Sequence, residues 1–323
     1  MAGVSGDGGY AALRDGLAAL EIERDVVRVT GPDAESYLQG QTSQDISKLG
    51  PGGSAWALVL QPQGKVDAFV RVYRAGPAEF LLDTDPGMGA SLVARLARFK
   101  LRTKANIQQL DWRAVAVRGQ EAGKPPAGTG EGVEVAVPFE WGGLTGYDLF
   151  GPEPTRPTAA APAEPAAYEA VRVEAGFPRH GHELDDRTIP AEAGLVEAAV
   201  SFTKGCYTGQ ELVDRIDSRG SNVPRHLRGL LLSAAAPAGT RLYQPGQARG
   251  APSERDEQPG AGGEGSGGAG GKDAGRLTSV ARSPRLGWVA LGYVGRGVEV
   301  GSTVVARDGK SEVQAQVERL PLT

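Results

Sequence analysis

The chain has 323 residues, with 35 Lys plus Arg against 39 Asp plus Glu and a formal net charge of −4 at pH 7. It is long enough for more than one domain and a large core, and it has no overall positive field to draw in a phosphate backbone, which argues against a general nucleic-acid binder. One cysteine closes no intrachain disulfide, and one cysteine with three histidines makes a poor zinc set.

The first twenty residues lack a basic start, carry Arg14 and Asp15 where a signal peptide has its apolar core, and read as a flexible tail. No apolar run approaches membrane-spanning length, so the expectation is a soluble, cytoplasmic monomer that uses no membrane. From Glu21 the pattern becomes foldable. Val26, Val27 and Val29 predict a strand ending at Gly31-Pro32, and Asp33 is placed to cap a helix carrying Tyr37 and Leu38. Ala55 to Leu60, Ala68 to Tyr73 and Glu79 to Asp83 read as strands, with a turn at Pro62 and Gly64. Leu92, Leu96 and Phe99 fall at helical spacing, and Ala114 to Val117 returns to strand. The irregular alternation argues α+β with mostly antiparallel sheet.

Gly119 to Gly132 and Gly151 to Pro165 read as flexible connections. Pro165 opens a helix that Gly176 closes. Leu286 to Val294, with a hairpin of Thr303 to Ala306 and Val313 to Val317, predicts a separate C-terminal β domain. It is interrupted at Gly246 to Arg276, a glycine-rich insertion too poor in apolar groups to offset the entropy of ordering. The expected organisation is thus a tail over 1–20, an α+β region over 21–222 and a β-barrel domain over 223–323, with 246–276 disordered.

Three motifs fail on context. Gly263-x-Gly265-x-x-Gly268 has neither a strand before it nor a helix after it, and Gly309-Lys310-Ser311 lacks the first glycine of a phosphate loop. His180-x-His182 is too unspecific to imply a bound metal, and none is expected. Two stretches carry chemistry. In Lys204-Gly205-Cys206-Tyr207-Thr208-Gly209-Gln210-Glu211, the spacing of Thr208 and Glu211 predicts a capping box, which places Cys206 at a helix entrance where the dipole and Lys204 would favour a thiolate. The same cysteine also reads as a small apolar filler. Arg172-Val173-Glu174 offers a carboxylate and a guanidinium able to grip an aminopyrimidinone and a carboxylate, or else a solvated helix face.

KGCYTGQE followed by Arg215 closely resembles the signature of the YgfZ family, folate-binding proteins related to the aminomethyltransferase (T-protein) of the glycine cleavage system. Gly31-Pro32-Asp33 through Gln41, the block from Arg172 to Leu195, and Ala290 to Val294 resemble the same family. The resemblance implies a T-protein-like ring of two α+β portions and a C-terminal barrel around a central tetrahydrofolate channel. It also implies a role in assembly or repair of iron-sulfur clusters, with iron-sulfur client enzymes or cluster-assembly proteins as partners. On it, Cys206 and Lys204 would be the reactive pair, and Glu174, Arg172, Tyr207, Gln210 and Arg215 would bind the folate. T-proteins carry an aspartate pair where this chain has Ala68 and Phe69, and strand alternation would turn the neighbouring Asp67 to the opposite face. Aminomethyl transfer is therefore not expected. The alternative is a folate-dependent one-carbon transferase or demethylase using Asp67, Glu174 or Asp185 as acid or base.

Overall fold

The computed structural model describes residues 7–123, 131–220, 222–245, 271–309 and 311–323. The expected tail is corrected from residue 7 onward, because α1 (Tyr10–Arg14) and β1 (Ala18–Ile22) are ordered there and Tyr10 and Leu13 are buried. Local composition hides this helix because what holds it is distant: the Tyr10 hydroxyl donates to Glu174 at 2.8 Å.

β2 (Asp25–Thr30), β3 (Ser54–Leu60), β4 (Val66–Gly76), β5 (Glu79–Thr84) and β6 (Asn106–Leu110) form an antiparallel sheet of order β3-β4-β5-β2-β6. α2 (Ala34–Gln41) and α3 (Gly89–Arg98) cover one face, burying Leu38, Leu92 and Leu96 against Val27, Val70 and Val72. Leu92 and Leu96 follow the spacing read from the sequence, whereas Phe99, read with them, lies just past α3 and is exposed. Asp33 precedes α2 but makes no side-chain cap, and its carboxylate instead accepts the Lys104 main-chain N–H at 2.7 Å.

β7 (Arg113–Arg118), β8 (Val135–Trp141), β9 (Leu144–Gly151) and β10 (Ala161–Pro162) join β1 in a second sheet of order β10-β1-β7-β9-β8. The connection Gly151 to Pro165 is less free than expected, since β10 pairs with β1 and Ala160 is buried. The other connection, Gly119 to Gly132, lies in part (124–130) outside the described residues. α4 (Pro165–Ala175) begins on its proline and ends at Gly176, whose φ of 71° suits a residue without Cβ. Two short helices follow, α5 (Val196–Ala199) and α6 (Gln210–Asp217).

β11 (Arg225–Leu232), β12 (Arg241–Tyr243), β13 (Asp273–Ser283), β14 (Gly287–Gly295), β15 (Thr303–Arg307) and β16 (Glu312–Glu318) close into a barrel. Val313, Ala315 and Val317 alternate inward along β16, as period-2 burial requires. The expected disordered insertion is corrected at its far end: residues 246–270 lie outside the described ones, whereas Asp273 to Arg276 belong to β13, with Ala274 buried. Glycines there concealed a single inward-facing residue in a strand that pairs on both sides. Both sheets and the barrel contribute to one apolar cluster containing Phe69, Phe139, Phe177, Tyr207 and Leu291. Among the described residues no helix is long and apolar enough to cross a membrane.

Candidate functional site

Cys206 is exposed, in the loop between α5 and α6. The loop is anchored on either side of it. Lys204 Nζ donates to the main-chain carbonyls of Gln39, Thr42 and Gln44 at 2.7, 2.6 and 2.9 Å, satisfying acceptors left over at the end of α2. An ammonium has three protons and these carbonyls take all three, which corrects the expectation that Lys204 folds back onto the sulfur. Burial lowers its pKa to about 8 against the opposing pull of Asp45. Hydrogen bonds from Ser47, Lys48 and Gln39 hold the Asp45 carboxyl well below the usual range. On the other side the Tyr207 ring is buried, 5.1 Å from the Lys204 ammonium, and the Thr208 N–H donates to the Gly40 carbonyl.

The predicted capping box does not form. Gly209 is the N-cap of α6, at φ 83°, and a Cβ there would lie 2.5 Å from the Gln61 carbonyl oxygen. Glu211 instead pairs with Arg215 at the surface, and the Gln210 side chain accepts the Tyr207 N–H while donating to Asp214. Cys206 therefore lies ahead of the helix rather than at its entrance. Of the five residues expected at a folate, Tyr207, Gln210 and Arg215 cluster here, and the Tyr207 hydroxyl is buried without a hydrogen-bond partner among the described residues.

Arg172 and Glu174 lie elsewhere and are spent internally. Arg172 is 1% exposed and donates to Glu169, Glu183, Ser279 and the Phe177 carbonyl. Burial opposes its charge, and Glu169 and Glu183 more than restore it. Glu174, 2% exposed, accepts from Tyr10 and pairs with Arg14 at 2.5 Å and Arg285 at 3.5 Å. These two residues tie α4 to α1 and the barrel, and neither offers a free group to a ligand.

The strand argument about Asp67 is also corrected. Val59 pairs with Ala68 but Leu60 pairs with Val66, so Asp67 is the extra residue of a bulge in β4. A bulge breaks the alternation: Asp67 binds Arg95 of α3 at 2.9 Å while Ala68 packs with Leu92 and Leu96 of the same helix. Both face a cavity of about 480 Å³ that Arg98, His180 and Asp186 also line. Burial lowers the His180 pKa against the pull of Asp85, Asp185, Asp67 and Asp186.

A larger cavity, about 1110 Å³, opens between β3 and β8 and is walled by Trp56, Tyr73, Phe139 and Trp141. Trp56 stacks on Phe69 at 4.9 Å and meets Trp141 edge-on. Beneath it Arg71, 1% exposed, bridges Asp83 and Asp148, and Arg118 pairs with Asp148 on its other side. Burial opposes the Asp148 charge, and Arg118 and Arg71 keep its carboxyl below its ordinary value. Sequence reasoning missed this network. Its signal was there, in charged residues set inside apolar runs: Val70-Arg71-Val72 and Tyr147-Asp148-Leu149. Among the described residues no three His, Cys, Asp or Glu side chains are grouped to hold a metal.

No family model matches the chain. The fold aligns with the glycine cleavage system aminomethyltransferase T of Bartonella henselae over 99% of this chain and 90% of that one, with a TM-score of 0.79 at 19% identity. The architecture is thus of the aminomethyltransferase class. An iron-sulfur cluster assembly factor IBA57 homolog, mitochondrial, of Pyricularia oryzae is 31% identical over 214 residues, 64% of this chain and 54% of that protein. The tRNA-modifying protein YgfZ of Cronobacter sakazakii is 28% identical over 260 residues, 73% of this chain and 76% of that protein. The chain spans about half the length of the IBA57 relatives it matches. In sequence it is thus similar to YgfZ and IBA57 proteins, and in fold to an aminomethyltransferase.

Proposed function

We propose that the protein is a folate-binding accessory factor for assembly or repair of iron-sulfur clusters in selected enzymes. The observation that carries this reading is the exposed Cys206, held out on a loop whose neighbours Lys204 and Tyr207 are fixed by three carbonyls and by burial. A thiol so presented is available to a partner protein or to a cluster in transit. One cysteine cannot complete an ordinary cluster's ligand set, so stable ligation needs a second protein. The names of the IBA57 relatives, iron-sulfur cluster assembly factors, support the same reading.

Arg172 and Glu174 do not fit a folate, because their polar atoms are already committed. The aromatic-walled cavity does fit a flat, hydrogen-bonding heteroaromatic ring, with Trp56, Tyr73 and Trp141 to hold it. A bound tetrahydrofolate would supply a carrier for a one-carbon unit; this chain's part is to orient it and exclude water. Complementation of a deletion strain tests the reading: wild type restores iron-sulfur enzyme activities and Cys206→Ser does not. Equal rescue by both overturns the role of Cys206. Calorimetry with tetrahydrofolate should show binding that Trp141→Ala weakens.

One observation favours a second reading, folate-dependent one-carbon transfer or demethylation. The bulge brings Asp67 to the face of Ala68, beside His180, where an acid could serve. Its salt bridge to Arg95 keeps that carboxylate engaged, and turnover with a methylated amine and tetrahydrofolate would be the deciding measurement.

A further inference from the structure

Met88 to Leu110 contains Arg95, Arg98, Lys100, Arg102 and Lys104 and no acidic residue, in a chain whose net charge is −4. The cations gather where α3 turns toward β6. At that turn Leu101 is 84% exposed and Phe99 36%, two of the four large apolar side chains exposed among the described residues. Arg102 has φ 57°, and among the described residues it alone adopts positive φ without being glycine. Such a conformation is disfavoured for a long side chain, and it lies directly after the exposed Leu101 at the tip of the knuckle. Arg95 is consumed by Asp67, Gln41 and the Leu60 carbonyl, and Lys100 by the Ala105 carbonyl. Among the described residues neither Arg98 nor Arg102 has an ion-pair partner.

The knuckle adjoins the cysteine loop through the end of α2. Gln41 bonds Arg95 of α3 at 3.1 Å, while its neighbours Gly40, Gln39 and Thr42 accept from Thr208 and Lys204. A third exposed apolar side chain, Phe202, 46% exposed, sits on the cysteine loop itself.

We propose that this knuckle docks an acidic protein partner, Leu101 entering an apolar pocket and Arg98 and Arg102 meeting carboxylates at its rim. The proposal rests on the reading of Cys206 as a partner-facing thiol and adds the surface that delivers the partner to it. The observations favour a protein over the other anionic surfaces. A single-stranded nucleic acid is held by bases stacking on free aromatic faces, but Arg95 lies 4.0 Å over the Phe99 ring, and a duplex needs a broad basic field that a few cations in a chain of net charge −4 do not make. A lipid surface needs a broad apolar face, and one exposed leucine with a half-covered phenylalanine does not make one. A single apolar anchor ringed by unpaired charge is the pattern of a protein contact.

The test uses the full-length chain in the deletion strain, with a photo-crosslinking residue at position 101 and the variants Leu101→Asp, Leu101→Met and Arg98→Glu/Arg102→Glu. Leu101→Asp and the double reversal should each cut restored iron-sulfur enzyme activity at least tenfold and Leu101→Met should not, with melting temperature and the alkylation rate of Cys206 unchanged. The crosslink should give one adduct, with an acidic protein, that the double reversal removes. Full rescue by both knuckle variants while Cys206→Ser fails overturns the docking surface and leaves the function reading intact; full rescue by Cys206→Ser as well overturns both. An adduct with lipid, nucleic acid or a second copy of this chain overturns the proposal, as does a variant whose lost rescue tracks a lowered melting temperature.

Discussion

The Arg172-x-Glu174 turn and the Lys204–Tyr207 loop make opposite use of charge. In the first, every polar atom is met from inside the protein by partners on α1, α4, the segment after α4 and the barrel, and the residues are 1 to 2% exposed. In the second, Lys204 and Tyr207 are drawn inward so that Cys206, which lies between them with Gly205, remains outside. A motif whose groups are all satisfied internally builds architecture. One that satisfies the flanks and leaves a reactive centre open is built to meet something else.

The contrast can be broken by substitution. Arg172→Ala should be the most damaging, because it leaves the buried Glu183 carboxylate without the cation it pairs with, and a loss of about 3 to 5 kcal/mol is expected in urea unfolding. Glu174→Ala removes the acceptor of Tyr10 and the partner of two partly exposed arginines, so about 1.5 to 3 kcal/mol should go. If either variant unfolds at the wild-type urea midpoint, the inward reading of that residue is wrong. Cys206→Ser should move the midpoint hardly at all, since an exposed side chain has little packing to lose.

Lys204 sharpens the comparison through pH. Its folded pKa, about 8, lies below the 10.5 of an ordinary lysine, so between those values the unfolded chain binds a proton that the folded chain does not. Stability from this group therefore rises with pH from about 8 to 10.5 and is least below 8. Urea midpoints of wild type and Lys204→Met between pH 7 and 10 should diverge in that sense, and parallel curves would show that Lys204 titrates normally. Arg215→Ala should also have little effect. Its pair with Glu211 is exposed, and a change within about 0.5 kcal/mol is expected.

β2 to β5, α3, α4 and the final hairpin were legible because their signals are local: alternation, helical spacing, a proline start and a glycine stop; β6, mostly exposed, carries no such pattern and was missed. What escaped the sequence was set by distant partners. Tyr10 means little until Glu174 is opposite it. Thr208 and Glu211 have the right spacing for a cap, yet the close approach of Gln61 puts a left-handed glycine in that position. Asp67 was assigned to the wrong face because a bulge is a property of two strands, Leu60 pairing with Val66 and Val59 with Ala68. The cysteine loop was found by its motif, but the direction taken by Lys204 depends on three carbonyls in another element.

The barrel offers a consequence of another kind. β12 and β13 pair Tyr243 with Asp273, and the Gln244 N–H reaches the Lys272 carbonyl at 2.9 Å, so the described residues flanking 246–270 meet at a single rung. The two ends are already joined, and the entropic cost of closing a longer connection grows only with the logarithm of its length, about 0.6 kcal/mol per doubling. Length at this place is thus nearly uncoupled from folding. Sequences could be lengthened, shortened or exchanged there with little selective penalty, and a fluorescent or affinity module spliced between the two strands should leave the rest of the molecule as it is.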